Sequence, residues 1–170
     1  MTTESVKKAV DETARLFDRE PERARVSTPP VTATLDDSVS FRIAGTHGEV
    51  VTDMPPPMGG KGRAETPGWH LRAALASCVG TMIATRAAQL SIMLNELSIT
   101  VQSEVDYRGM LGVDEAVAPG MNNLRMEVRI GSPEAGEAAL TDIVRWGEAH
   151  SPVARTIKAG NLSEATIIAL

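Results

Sequence analysis

Cys78 is the one cysteine of the chain and the residue with the most chemistry to offer. A single thiol excludes an intrachain disulfide, and with it the disulfide-stapled scaffold of small secreted domains. On a helix, Ala74, Leu75, Met82 and Thr85 share its face, and most of that face is apolar. A cysteine in such surroundings is ordinarily an inert core residue. To act as a nucleophile it needs a cation or a helix N-terminus beside it, and no sequence neighbour supplies one. An activating group must therefore come from elsewhere in the fold. His47, His70 and His150 lie far apart, with no H-x-x-x-H and no paired Cys/His spacing, so no zinc site is expected. There is no G-x-S-x-G elbow and no dinucleotide fingerprint after a strand. Gly59-Gly60-Lys61-Gly62 has neither the spacing nor the hydroxyl of a P-loop and reads as a mobile loop.

The elements that must position Cys78 follow from periodicity. Thr66-Pro67 is a helix start, with Thr as N-cap and Pro at the first helical position, and the helix should run to about Leu90. Its middle, Ala73–Ala84, is apolar nearly all round, as expected of a central helix buried on most faces. Ahead of it, the alternating runs Val31–Leu35, Val39–Ile43 and Glu49–Asp53 predict an antiparallel meander, with turns at Asp36-Asp37 and at Gly45–Gly48. After it, Leu97–Tyr107 alternates, with Ser103 the exception on its apolar face, and the run from Leu124 to Ile130 alternates too. Ser132-Pro133 should cap a second helix with Leu140, Ile143, Val144 and Gly147 inward. Ser151-Pro152 repeats that signature and opens a third, short helix. Gly160-Asn161 ends it, and Leu162–Leu170 reads as a last strand. The order predicts an α+β domain over 29–170. Residues 1–28 form an N-terminal amphipathic helical extension, its thin apolar stripe made by Val6, Val10, Ala14 and Phe17.

Composition narrows the function. The chain has 170 residues, 42% of them apolar and 23% charged, which suits one soluble domain with a real core. A net charge of −5 lacks the basic footprint of a nucleic-acid binder. Aromatics are 3%, too few for base-stacking platforms. The N-terminus has no signal-peptide h-region, and the uncharged run Ala73–Thr85 is too short to span a bilayer. A cytoplasmic protein with no membrane association is expected.

The stretch Pro67-Gly-Trp-His-Leu-Arg-Ala-Ala-Leu-Ala-Ser-Cys78, on a long apolar helix after a meander, resembles the OsmC/Ohr family of osmotically inducible and organic hydroperoxide resistance proteins. That family's mark is a proline-started helix reading P-x-x-L-[LI]-x-A-A-x-A-x-C. This chain fits from Leu71 onward, with His70 where the family has Leu. A second mark is Cys-Pro-Val at the start of a late helix, where this chain has Ser151-Pro152-Val153. Tyr107–Gly120 resembles an insertion in a divergent branch. The resemblance covers roughly residues 30–170.

The resemblance implies an OsmC-like fold and an intertwined homodimer. It also implies thiol-dependent reduction of organic hydroperoxides in oxidative-stress defence, with no cofactor or metal. Carried over, Cys78 is the attacking cysteine and Ser151 takes the resolving position, where no disulfide can form. The family's glutamate falls on Gly68 or Trp69, with Glu65 a turn early. Its arginine falls near Met58, leaving Arg63 and Arg42 as substitutes, Arg63 the nearer to the helix. The expected activity is that of a one-cysteine peroxidase resolved by an external thiol. The alternative is a non-catalytic dimer that holds a hydrophobic small molecule in an inter-subunit pocket.

Overall fold

A computed structural model describes residues 3–160, 163 and 165–168. The chain divides into two units, Glu12–Ala74 and Met1–Asp11 with Leu75–Leu170. Two helices run across the division, α1 (Thr3–Arg19) and α2 (Pro67–Gln89).

The first unit is built on a three-stranded antiparallel sheet, β1 (Thr32–Asp37), β2 (Ser40–Gly45) and β3 (Gly48–Thr52). The first turn lies at Ser38-Val39, two residues later than expected, with Asp37 opposite Ser40. Asp36 and Asp37 stay in the strand because their carboxylates are occupied. Asp36 accepts from Arg42 at 2.9 Å, and Asp37 is paired with Lys61. Cross-strand register puts Ala33, Ile43 and Val50 in one row and Leu35, Phe41 and Thr52 in the next, so these side chains share one face. Much of that apolar face is open: Leu35 is 59% exposed, Phe41 37% and Val50 44%.

After β3 the chain makes a Pro/Gly loop, with a 3-10 turn at Pro56–Met58. Asp53, 2% exposed, organises it by accepting from the backbone N–H groups of Met54, Arg63 and Lys61 at 2.8, 3.0 and 3.1 Å. A Cβ on Gly60 would stand 1.8 Å from the Met54 carbonyl oxygen, so the ring closes only around glycine.

The second unit carries a two-stranded antiparallel sheet, β4 (Glu96–Glu104) and β5 (Asn122–Gly131). Leu97, Ile99 and Val101 stand opposite Ile130, Val128 and Met126, and this face packs on Leu75, Val79, Ile83 and Ala87 of α2. β4 stops at Glu104, short of the expected Tyr107. The side chain of Asp106 caps the Arg108 N–H at 3.0 Å and starts the single turn α3 (Tyr107–Met110), leaving Tyr107 exposed. α4 (Glu137–His150) begins later than the Ser132-Pro133 signature suggests. Ser132 Oγ accepts from the N–H groups of Glu134 and Ala135, but the turn is not continued and Gly136 is the N-cap. α5 (Pro152–Ala159) starts at the expected Ser151-Pro152 and ends at Gly160 with φ 63°. Of the strand expected over 162–170, positions 162, 164, 169 and 170 lie outside the described residues. Those of it that are described, Ser163 and 165–168, have no regular structure.

Thr66 caps α2 as expected, its Oγ1 accepting from the Trp69 N–H at 3.2 Å. Within one chain, however, α2 is not buried on most faces. Its core stripe is Leu75, Val79, Ile83 and Ala87, while Ala74, Ser77, Thr81 and Ala84 on the far side are exposed. Small side chains there leave a flat, weakly polar strip rather than the wholly apolar surface that a hydropathy reading suggests. At the other end of the helix, Lys7 of α1 donates to the Gln89 carbonyl at 2.7 Å. That puts a cation on the negative end of the α2 dipole. Among the described residues no helix is long and apolar enough to cross a membrane.

Candidate functional site

Cys78 sits on α2 at the margin between the core stripe and the exposed strip, and is half-buried. Ser151, 0% exposed, stands between α4 and α5. Its backbone is extended and its hydroxyl caps α5 by accepting from the Ala154 N–H at 3.2 Å. The same hydroxyl donates to the Cys78 sulfur, Oγ to Sγ 3.1 Å. Two residues 73 positions apart are thus in direct contact.

The contact is set by how α4 meets α2. A Cβ on Gly147 would lie 2.5 Å from Ile83 Cγ1 and 3.1 Å from the Ile83 nitrogen, so the helices touch where only glycine fits. Near the end of α4 the Trp146 indole stacks on the His150 ring at 4.0 Å. Arg86 of α2 lies 5.1 Å from the centre of the indole ring system. His150 Nδ1 is 2.8 Å from the Trp146 carbonyl oxygen, and Ser151 follows directly. Helix register on one side and an aromatic column on the other therefore deliver the hydroxyl to the sulfur.

A cleft of about 420 Å³ has neighbours of this pair, though neither Cys78 nor Ser151 itself, in its wall. Leu75, one turn before Cys78, and Ala154, the N–H partner of Ser151, are part of its lining, with Leu124, Met126 and Ile157. Its charged lining groups are Arg125, Glu148 and Lys158. No local signal in the sequence ties these three together, since they come from β5, α4 and α5.

Arg63 belongs to the first unit, where Asp37 and Asp53 are its partners. Its Nη2 is 3.6 Å from Asp37 and its Nε 3.9 Å from Asp53. Arg42 is held by Asp36 and Glu49. The Arg63 N–H is the largest influence holding the Asp53 carboxyl below the usual carboxylate range. The N–H groups of Met54 and Lys61 add to it, against burial, which pushes the other way. Sequence reasoning overlooked Asp53, although an acid placed just before a Pro/Gly loop is the one signal that could have pointed to it. His70 turns its ring edge-to-face on Trp69, and its Nε2 is buried with no hydrogen-bond partner among the described residues. Among those residues no three His, Cys, Asp or Glu side chains gather as a metal site.

An α+β chain with a proline-started helical thiol, and a Ser-Pro helix start in contact with it, defines a class that comparison with known proteins makes specific. The sequence pattern of the family described as OsmC-like protein matches residues 60–164, and the chain belongs to that family. Among solved structures it is similar to an OsmC-like protein from Mycoplasma pneumoniae, with TM-score 0.67 and 17% identity over 79% of this chain and 89% of that one. It is also similar to an organic hydroperoxide resistance protein OsmC from Legionella pneumophila, with TM-score 0.57 and 18% identity over 78% and 92%. A third is the organic hydroperoxide resistance protein OhrB of Bacillus subtilis, with TM-score 0.53 and 16% identity over 79% and 93%. At these identities the likeness shows the fold. No curated protein sequence matches the chain.

Proposed function

We propose that this protein is a one-cysteine organic hydroperoxide reductase that works as a homodimer in the cytoplasm. The observation that carries the reading is the 3.1 Å contact between Cys78 Sγ and the Ser151 hydroxyl, the position where the family's second cysteine falls. Family membership and the names of the Legionella and Bacillus structures support the reaction class.

The Cys78 sulfur attacks the distal peroxide oxygen. The O–O bond breaks, the alcohol leaves with a proton, and Cys78 becomes a sulfenic acid. Ser151 can donate a hydrogen bond at this centre but has no sulfur to close a disulfide. A thiol from solution therefore condenses with the sulfenic acid, and water leaves. A second thiol equivalent then releases the free cysteine. We assign to Arg63 the guanidinium role at the peroxide. The exposed strip of α2 and the open face of the meander supply the surface that a second copy would cover.

The test is consumption of cumene hydroperoxide with dithiothreitol. Wild type should turn over, Cys78→Ser should not, and Arg63→Ala should lose far more rate than Arg42→Ala. Equal rates for wild type and Cys78→Ser would end the enzyme reading. The dimer with a ligand-holding cleft would then be left as the function.

A further inference from the structure

We infer that the cleft beside Cys78 and Ser151 is the seat of the resolving thiol, and that this thiol is a small amino-acid or peptide thiol carrying an ammonium group and two carboxylates. The inference rests on the one-cysteine reading for its role in a cycle, but not for its binding.

The cleft is close enough to matter. Its wall includes Leu75, one turn from Cys78 on α2, and Ala154, one hydrogen bond from Ser151. About 420 Å³ is within the range of small-molecule sites. The charges decide the class. Around an apolar floor of Leu75, Met126, Ala154 and Ile157 stand two cations, Arg125 and Lys158, and one anion, Glu148. Arg125 already has Glu104 at 3.2 Å, whereas Glu148 and Lys158 form no ion pair among the described residues. A neutral dithiol would use none of these groups. A γ-glutamyl-type thiol presents the complementary set, with carboxylates for Lys158 and Arg125 and an ammonium for Glu148. The apolar floor faces its methylene stems.

In the cycle, the bound thiol's sulfur attacks the Cys78 sulfenic acid. An S–S bond forms, the S–O bond breaks, and the oxygen leaves as water, carrying the sulfenic acid's own hydrogen and the thiol proton. A second molecule of the same thiol attacks that mixed disulfide. The symmetric disulfide departs and Cys78 returns as the thiol, so two thiols are oxidised for each hydroperoxide reduced.

Two measurements separate this inference from the reading beneath it. Dimedone capture of sulfenic acid after cumene hydroperoxide tests the reading alone. Binding of S-methylglutathione to the reduced protein, followed by calorimetric titration, tests the cleft alone and needs no peroxide. It should bind, and Lys158→Ala and Glu148→Gln should each weaken it by up to about fivefold, the most expected when an exposed ion pair goes. Where sulfenic acid forms, glutathione should resolve it faster than 2-mercaptoethanol at equal thiolate. The same two variants should erase that advantage without changing the rate of sulfenic acid formation. Failure of S-methylglutathione to bind, or binding untouched by both variants, overturns the inference. So does equal resolution by the two thiols.

Discussion

Replacing Ser151 with cysteine should convert the hydroxyl–sulfur contact into a disulfide. Oγ and Sγ are 3.1 Å apart in the wild type, about 1 Å more than an S–S bond. The longer C–S bond of cysteine covers part of that difference. The bridge would span 73 positions, from Cys78 to residue 151. On the loop-closure account, a crosslink of that span removes about 15 cal/mol/K from the unfolded chain, or about 4 kcal/mol at 25 °C. Against it stands the lost N-cap, since cysteine replaces the Ser151 hydroxyl that accepts from Ala154, at about 1 kcal/mol. For a chain of this size each kcal/mol moves Tm by about 2–4 °C. Reduced Ser151→Cys should therefore melt about 2–4 °C below wild type, and the oxidised variant about 8–16 °C above its own reduced form. The assay is mild cumene hydroperoxide, thiol blocking, intact mass and thermal melting with and without reductant. A loss of two hydrogens, no free thiol and the upward shift are expected. If both thiols stay free in the native protein while the denatured protein oxidises readily, the contact is sealed from peroxide and the enzyme reasoning fails.

Three further outcomes follow from the same geometry. Gly147→Ala, which in an open helix would stabilise by about 1 kcal/mol, should instead cost about 1–3 kcal/mol because its Cβ meets Ile83. An unchanged or higher Tm by circular dichroism would refute the close approach. The Asp53 carboxyl is held below the usual carboxylate range when folded, so its contribution is present above the ordinary carboxylate pKa of about 4 and is lost as pH falls through the lower folded value. Limited acid proteolysis should accordingly cut within 54–63 first, and Asp53→Ala should show that cleavage already at neutral pH. Sedimentation at low micromolar concentration should find a dimer, since α2 and the meander leave so much surface uncovered within one chain. A folded monomer would contradict it.

What could be read in advance was what local chemistry decides. Thr66-Pro67 and Ser151-Pro152 start helices because cap and first-turn preferences act within a few residues. The strand around Leu124–Ile130 shows in its alternation alone. Misplaced elements were those in which a side-chain partner, near or distant, overrode the alternation or turn signal. Asp36 and Asp37 look like turn residues until Arg42 and Lys61 hold them in a strand. Tyr107 continues an alternation that Asp106 interrupts by capping Arg108. Within one chain α2 is covered on one stripe alone, which hydropathy does not reveal, since it counts alanine and threonine without regard to what covers them. For the site, the pairing of Cys78 with Ser151 was legible only through family resemblance, since nothing in the sequence between them signals it. The charged lining of the cleft was not legible at all.

The meeting of Gly147 and Ile83 has one more consequence. It acts as a mechanical stop: α4 can come no nearer to α2, and the missing methyl lets it come this near. The stop lies four residues before Ser151 and five after Cys78, and neither Gly147 nor Ile83 lines the cleft. Spacing at the sulfur is thus gauged by a part that takes no chemical role, as a jig holds two workpieces without being joined to either. The group at position 151 can be exchanged, hydroxyl for thiol, while the tolerance between the two positions stays the same.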